Sequence, residues 1–281
     1  MPKLQIRLMI VLSILLACII TFDATFFYGM TVSINQLDTQ IQTLKNPEIP
    51  QNMNGKTIMY FSDLQYGAYT DTKRVKQVFQ EIKSYHPDIL IFGGDLYDTD
   101  TKINKKKQAM LVSLFQSIEA PLGKYAVWGE KDLANKDQIA KLYKKAQIEV
   151  LDNSHVSLSN QSRNSMRLVG LTNTDGIKTA TENISNKTYN LLVTHEPDNL
   201  VDEQLSTKSI NYALAGHAHS TQITYPFLGG YRKEKGAEEL NTAKNKNLAF
   251  PYTLTTGVGC TRVHIRYNAK PEMHYFILKS K

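Results

Sequence analysis

The chain has 281 residues, of which 42% are hydrophobic and 21% are charged. This length suits one large domain or two small ones and is ample for a buried core. The net charge of +7 favours an anionic partner such as lipid or a cell-wall polymer. The sequence has no motif of basic and aromatic residues of the kind found in nucleic-acid binders, so we expect no nucleic-acid partner. Cys18 lies in the N-terminal apolar segment and Cys260 near the C-terminus, so we expect no internal disulfide.

The N-terminal segment has the pattern of a membrane anchor. Lys3 and Arg7 precede a long apolar run, and apolar residues resume after Asp23. Because Asp23 interrupts the run, the segment is either a signal peptide or an uncleaved signal anchor. No clear small-x-small cleavage site follows, so we predict a single-pass anchor over residues 1–30 in the cell membrane. Its basic end would lie inside and the catalytic domain outside the cytoplasm. Lipid attachment at Cys18 is a third alternative.

Residues 31–54 lie between this anchor and a predicted globular domain at residues 55–281. We interpret them as a stalk, although residues 39–44 fit an edge strand equally well. Four apolar residues have heptad-like spacing in too few repeats for a coiled coil, namely Ile34, Leu37, Ile41 and Leu44.

From residue 55 onward, strand and helix patterns alternate. Short apolar runs predict strands at residues 57–61, 89–92 and 124–128. Apolar residues at helical spacing predict helices at residues 72–85, 104–118 and 135–146. This βαβαβα order predicts a parallel sheet with crossover helices. The second half has a polar loop or flap at residues 229–249 and further strand patterns at residues 156–158, 166–171, 189–193, 211–215, 252–255, 263–266 and 274–278.

The predicted strand at residues 89–92 delivers a carboxylate to its C-terminal end. The unbroken apolar run is typical of a strand buried on both faces. Gly93 and Gly94 allow a sharp turn, and Asp95 follows at once. Open α/β sheets bind ligands at the carboxyl ends of their strands. Asp95 is therefore a candidate ligand, although an aspartate in a turn is also common.

Side chains that can bind metals follow five of the predicted strands. Taken alone, each has an ordinary explanation, such as a hydrogen-bonded loop histidine or a surface ion pair. All of them occupy the same position relative to a strand, however, and a His-x-His sequence puts two imidazoles near one strand end. The combination predicts a metal site formed by Asp63 with Gln65, Asp95, Glu130, His195, and His217 with His219.

This ordered series resembles the calcineurin-like metallophosphoesterases, and in particular their membrane-anchored bacterial branch. The family pattern is Asp-x-His, Gly-Asp-x-x-Asp, Gly-Asn-His-Asp/Glu, a single His, and Gly-His-x-His. It occurs here in order from Asp63 to His219. Flanking sequences such as Thr194-His195-Glu196-Pro197-Asp198 also match that branch. The resemblance covers residues 55–281.

The resemblance implies an α/β fold with mixed sheets, a four-layer αββα sandwich, preceded here by the N-terminal transmembrane helix. It also implies two divalent metal ions at the strand ends. The first would be bound by Asp63, Gln65, Asp95 and His219, and the second by Asp95, Glu130, His195 and His217. A hydroxide that bridges the two ions would hydrolyse a phosphomonoester, phosphodiester or pyrophosphate.

Three positions depart from the family pattern, because Gln65, Glu130 and Lys131 replace His, Asn and His. Gln65 can still offer an amide oxygen, and an oxygen-rich site favours Mn²⁺ or Mg²⁺ over Zn²⁺. We therefore expect manganese, with magnesium, iron and zinc as alternatives. Glu130 adds a negative charge, which would tighten metal binding and repel an anionic phosphate.

Lys131 has two opposite interpretations. It could bind a phosphate oxygen and protonate the leaving group, so that Lys131 and Asp95 would be the catalytic residues. Alternatively, its ammonium could occupy a vacated metal position and bridge to Glu130, Asp95 or both. Tyr66 could line the substrate pocket beside Lys131 or pack in the core or rim.

Two functional hypotheses follow. The first is a membrane-anchored, metal-dependent phosphoesterase whose phosphorylated substrate would be, for example, a lipid or an envelope precursor. The second is a catalytically inactive member of the fold that serves as a binding or scaffold protein of the cell envelope. The retained histidines and aspartates favour the first hypothesis, and the three substitutions favour the second.

Overall fold

The computed structural model describes residues 3–99, 101–218, 222–225, 229–230, 234–241 and 245–281. It begins with helix α1 (Lys3–Thr31), whose apolar side chains are exposed along most of its length. Among the described residues, one helical span, Lys3–Asn35, is long and apolar enough to cross a membrane, with a mean hydropathy of 2.4. This finding concerns length and composition, and a signal sequence would meet the same criteria.

The remaining elements are the following, in chain order. The strands are β1 (Asp38–Lys45), β2 (Thr57–Phe61), β3 (Ile89–Phe92), β4 (Lys124–Ala126), β5 (Glu149–Val150), β6 (Ser154–Leu158), β7 (Met166–Leu171), β8 (Asn190–Thr194), β9 (Tyr212–Ala215), β10 (Thr224–Tyr225), β11 (Gly229–Gly230), β12 (Tyr252–Leu254) and β13 (Glu272–Lys279). The helices after α1 are α2 (Thr72–Ser84), α3 (Lys105–Gln116), α4 (Lys136–Lys145), α5 (Ile177–Ala180) and α6 (Glu203–Ser206).

The first sheet has the strand order β1-β13-β2-β3-β4-β5. Strands β2 to β5 run parallel, and β13 is antiparallel to β2. The predicted parallel arrangement in the first half of the chain is therefore confirmed. Strand β3 is buried at every position, as its unbroken apolar run indicates.

Helices α2, α3 and α4 pack their apolar faces against this sheet. Asp71 caps α2 by accepting a hydrogen bond from the backbone N–H of Arg74 at 2.8 Å. Asn104 caps α3 in the same way. From α2, Val75 and Phe79 enter the core at the spacing of one helix face.

The second sheet has the strand order β12-β9-β8-β7-β6. Strand β6 is antiparallel to its neighbour β7, and the other neighbouring strands of this sheet run parallel. Its outer face carries Val169 and Leu192, which pack with Ile177 of α5 and Leu205 of α6. Each of these helices is a single turn that packs its buried apolar side chains on the sheet.

A central core lies between the two sheets. Alternate residues of β2 divide between the cores, since Ile58 faces the second sheet and Met59 faces the helices. Leu191 and Leu214 meet Ile58 from the other sheet. The layers are thus helices, sheet, sheet and helices, which confirms the four-layer αββα prediction.

The segment before residue 55 extends the first sheet. Strand β1 pairs in parallel with β13 along its whole length, from Asp38 opposite Glu272 to Lys45 opposite Lys279. Of the two alternatives for residues 39–44, the structure contains the edge strand. Burial of Leu44 in the central core explains why this strand stays on the sheet.

The strand predicted at residues 263–266 is wrong. These residues form a loop in which the Arg266 side chain is fully buried. Its guanidinium donates hydrogen bonds to the carbonyl oxygens of Gly259, Thr256 and Ala269. A loop can turn several carbonyls toward one charged group, whereas a strand uses them in its ladder.

Candidate metal centre

The predicted site residues follow the carboxyl ends of strands in both sheets. Asp63 follows β2, Asp95 follows β3, and His217 follows β9. Each of these three residues has a positive φ, between 58° and 63°, as does Gln65 at 49°. Residues other than glycine seldom adopt this backbone conformation, and such strain is concentrated at functional sites.

Three side chains converge on one point, and we call this group the histidine side: Glu130, His195 and His217. Glu130 Oε2 lies 2.9 Å from His195 Nε2 and 2.9 Å from His217 Nδ1. Both imidazoles are buried, whereas Glu130 is partly exposed at the rim. Two ring nitrogens and a carboxylate oxygen within such distances are a suitable donor set for a divalent ion.

The outer nitrogens of both rings contact backbone carbonyl oxygens. His195 Nδ1 lies 2.7 Å from the Gly93 oxygen, and His217 Nε2 lies 2.7 Å from the Lys235 oxygen. A carbonyl can only accept a hydrogen bond, so each of these nitrogens carries the proton. In the neutral ring the other nitrogen is the one that can bind a metal, and in both rings this nitrogen faces Glu130.

Two further carboxylates approach the same ring of His195. Its Nε2 lies 3.6 Å from Asp95 Oδ1 and 3.8 Å from Asp63 Oδ1. Asp63 Oδ2 accepts a hydrogen bond from the backbone N–H of His217 at 3.0 Å. His195 therefore links the rest of the histidine side to the two aspartates, which makes these aspartates candidate ligands as well.

These contacts shift the acid–base equilibria of the group. Burial alone lowers the pKa of His195, but the charges of Asp95 and Asp63 outweigh it and raise the pKa well above its usual value. Burial likewise lowers the pKa of His217, while its hydrogen bond with Glu130 raises it, with a net increase. For Glu130, burial raises the pKa, but the hydrogen bonds and charges of the two histidines outweigh burial and lower the pKa overall. The site thus attracts positive charge, and protons and a metal ion would compete for it.

Lys131 occupies the opposite side of Asp95. Its Nζ lies 2.7 Å from Gln65 Oε1, 2.8 Å from Thr261 Oγ1 and 3.3 Å from Asp98 Oδ1. It also lies 3.9 Å from Asp95 Oδ2. We call this group the lysine side: Gln65, Asp98, Lys131 and Thr261.

Gln65 directs its amide in the opposite sense to the one expected of a ligand. Its Oε1 accepts from Lys131, and its Nε2 donates to Asp95 Oδ2 at 2.6 Å. The amide oxygen that we predicted as a ligand of the first ion thus accepts a hydrogen bond from the Lys131 ammonium group. The donor set of the histidine side fits a divalent ion, and the lysine side does not.

Asp132 was not assigned a role from the sequence, yet it supports both sides. Its carboxylate accepts hydrogen bonds from the backbone N–H groups of Asp95, Leu96 and Gly129, at 2.9 to 3.0 Å. Burial, together with the nearby charge of Asp95, raises the pKa of Asp132 to about 7. The available signal was its place two residues after Glu130, at the acidic end of the family motif.

Tyr66 was predicted as a possible substrate-binding residue. Tyr66 is 3% exposed, its hydroxyl lies 2.7 Å from Thr72 Oγ1, and its ring stacks on Tyr97. This is the packing role, so substrate binding by Tyr66 has no support from its position. His219, the remaining predicted ligand of the first ion, lies outside the described residues.

Comparison with known proteins agrees with this geometry. The family model described as calcineurin-like phosphoesterase matches residues 56–221. The chain belongs to the calcineurin-like phosphoesterase family. Membership implies a divalent metal ion and a phosphorylated substrate, and it accounts for the order of side chains along the strand ends.

Several proteins resemble this member of the family over most of its length. The metallophosphoesterase YkuE of Bacillus subtilis (strain 168) is 25% identical over 268 residues, which cover 93% of this chain and 92% of YkuE. The metallophosphoesterase YkoQ of the same organism is 26% identical, over 78% of this chain and 82% of YkoQ. The structure of the calcineurin-like phosphoesterase YfkN from Bacillus subtilis aligns with a TM-score of 0.44 and 13% identity, over 72% of this chain and 81% of that one.

Proposed function

We propose that the chain is a metal-dependent phosphoesterase that acts at a membrane surface. The observation that carries the proposal is the convergence of His195 Nε2 and His217 Nδ1 on Glu130 Oε2, each at 2.9 Å. Backbone carbonyls hold both rings in the tautomer that binds a metal. A carboxylate that meets two buried ring nitrogens needs a cation to balance its charge, supplied either by protons on the rings or by a metal ion.

In this proposal the residues have separate tasks. Glu130, His195 and His217 hold a divalent ion, and Asp95 lies within reach through Oδ1. Such an ion would supply a Lewis acid and a water molecule of lowered pKa. Asp63 fixes the His217 backbone, and Asp132 fixes the turns that carry Asp95 and Glu130.

The identity of the metal needs a new argument. The preference for manganese depended on Gln65 as an oxygen ligand, and its oxygen is bonded to Lys131 instead. Two imidazoles and a carboxylate suit iron and zinc as well as manganese. Manganese therefore remains one of three candidates.

The membrane part of the proposal rests on α1 and on its junction with the domain. Gly29 is buried, and its carbonyl oxygen accepts a hydrogen bond from the Arg266 backbone N–H at 3.2 Å. A distant relative from Bos taurus bears the name "Transmembrane protein with metallophosphoesterase domain" and is 23% identical over 62% of this chain and 43% of that protein. We propose a single-pass anchor with the domain outside the cytoplasm and a phosphorylated lipid or envelope precursor as substrate.

A second candidate function is favoured by the lysine side. All the protons that Lys131 Nζ can donate have acceptors in the protein itself, so Lys131 is not available to hold a phosphate or protonate a leaving group. This is the arrangement expected of a binding or scaffold protein that keeps the fold and an ion.

The test of the proposal is hydrolysis by the full chain in detergent micelles. We would supply p-nitrophenyl phosphate and bis-p-nitrophenyl phosphate with Mn²⁺, Fe²⁺ or Zn²⁺. We expect metal-dependent release of nitrophenol that Asp95→Asn abolishes and that the exposed control Asp175→Asn retains. Hydrolysis that survives Asp95→Asn would contradict the assigned site. Ion binding without hydrolysis of any phosphoester would support the scaffold function.

A further inference from the structure

The Lys131 ammonium lies in a site built for a cation. Its side chain is 11% exposed, and its three N–H donors meet a glutamine oxygen, a threonine hydroxyl and the Asp98 carboxylate. A lysine this deeply buried is stable only when it is paired and hydrogen-bonded. Thr261 Oγ1 also lies 2.9 Å from Asp98 Oδ1, so its neighbours are held in place by one another.

Gln65 links this ammonium to Asp95. One end of its amide accepts from Lys131, and the other end donates to Asp95 Oδ2. Asp95 Oδ1 accepts from the Lys131 backbone N–H at 3.0 Å. An imidazole at position 65 could turn an electron pair toward an ion beside Asp95, but this amide presents hydrogen atoms to that carboxylate.

We infer that Lys131 is a built-in cation that replaces the first ion of the family's pair, so that the chain binds one divalent ion and not two. This inference rests on the proposed function, since it requires the histidine side to hold its ion. The ammonium supplies one positive charge next to Asp95, where a second dication would meet electrostatic repulsion and lack the Gln65 oxygen as a ligand.

The two substitutions at positions 65 and 131 act together in this interpretation. Lys131 removes the need for an ion, and Gln65 supplies an acceptor for the ammonium and a donor for Asp95. Either residue alone would leave a buried polar group without a partner. The exchange also explains why Asp98 and Thr261 point at Nζ, because both serve the ammonium directly.

Counting the ions bound per chain tests the inference. We would load the full chain in detergent micelles with excess Mn²⁺, remove the unbound metal, and measure metal per protein by elemental mass spectrometry. The wild type should hold one ion, and His217→Ala should hold none. The double variant Gln65→His/Lys131→His, which restores the two histidines of the family pattern, should hold two.

The outcomes distinguish a failure of this inference from a failure of the proposed function. A wild type with two ions would overturn the inference and leave the proposed function in place. The inference would also be overturned if the double variant melted cooperatively and still held one ion. It would likewise be overturned if His217→Ala retained the wild-type ion and Asp63→Asn lost it. A wild type with no ion would contradict the proposed function itself. If the double variant does not fold, the wild-type count still decides between one ion and two.

Discussion

The histidine side and the lysine side lie on either side of Asp95 and use the same construction, a turn after a parallel strand. On the histidine side, one ring nitrogen of each imidazole lies 2.9 Å from Glu130 Oε2, where protons and a metal ion compete. On the lysine side, every polar atom of the Lys131 head group has a protein partner. The first side needs a cation from solution, whereas the second contains its own. One fold can thus keep half of a metal centre and convert the other half by exchanging two residues.

The largest effect is expected from removing the internal cation. Lys131→Met leaves Asp98 buried without a counter-charge, and breaking a buried ion pair costs about 3 to 5 kcal/mol of stability. Lys136→Met is the matched control, because Lys136 pairs with Asp152 at the surface, where such pairs contribute about 0 to 1 kcal/mol. Urea unfolding of both variants without metal measures the difference. Equal losses would show that Lys131 is not the stabilising cation of its side.

The next effect concerns metal affinity on the histidine side. His217→Ala removes a direct donor, so the Kd for Mn²⁺ should rise by more than about 100-fold, the upper end seen for residues that only orient a ligand. His264→Ala is the control, because His264 is exposed and its Nδ1 lies 2.9 Å from the Tyr69 carbonyl oxygen, away from the histidine side. Isothermal titration calorimetry gives both constants. Unchanged binding in His217→Ala would move the ion elsewhere in the chain.

A smaller effect is expected where both sides share a support. Asp132→Asn replaces one carboxylate oxygen by an amide that cannot accept from the backbone N–H groups, at a cost of about 1 to 3 kcal/mol. The exposed Asp175→Asn should change stability by less than about 0.5 kcal/mol. We expect the Asp132 variant to lose both stability and metal affinity, as measured by urea unfolding with and without Mn²⁺. A loss confined to one of the two would show that Asp132 serves only one side.

The smallest effect is a pH dependence away from the centre. Burial raises the pKa of Glu272, but its contacts with His274 and the Thr256 N–H outweigh burial and lower it. A carboxyl with a lowered folded pKa stabilises the protein above its unfolded pKa, and this stabilisation is lost as the pH falls through the folded value. Between pH 6 and pH 3, Glu272→Gln should therefore lose less stability than the wild type in metal-free urea unfolding. An equal loss would mean that Glu272 titrates as it does in the unfolded chain.

Much of the fold could be predicted because local patterns carry it. The apolar runs of β2 and β3 and the apolar residues at helical spacing in α2 each lie within a short stretch of sequence, so their periods and the turn residues between them were sufficient to predict these elements. The pairing of β1 with β13 was left open, since it joins residues more than 200 positions apart. The loop at Arg266 was read as a strand because Val263 and Ile265 alternate with polar residues, and the carbonyls that bind Arg266 leave no trace in that pattern.

The site was predictable to the same degree. Side chains that follow parallel strands lie at the carboxyl edges of their sheets, so the positions of Glu130, His195 and His217 predicted a shared site although their strands belong to two sheets. The direction of the Gln65 amide was not predictable, because it depends on Lys131 and therefore on Thr261, a residue 130 positions further along the chain. The partners of a long side chain depend on residues that are distant in sequence. The sequence therefore left two roles open for Lys131, binding a phosphate or occupying a metal position.

The junction at Gly29 has a further consequence. A Cβ at this position would lie 3.0 Å from the Ile265 side chain and 3.2 Å from the Arg266 carbonyl oxygen, which is a tight contact. The same loop contacts Asp63 through Gly259 and Lys131 through Thr261. The helix is therefore joined directly to the loop that contacts Asp63 and Lys131. With α1 in a bilayer, this junction would keep the centre close to the headgroups. Encounters with a lipid substrate would then depend on its mole fraction in the surface, as in a two-dimensional reaction, and not on its bulk concentration.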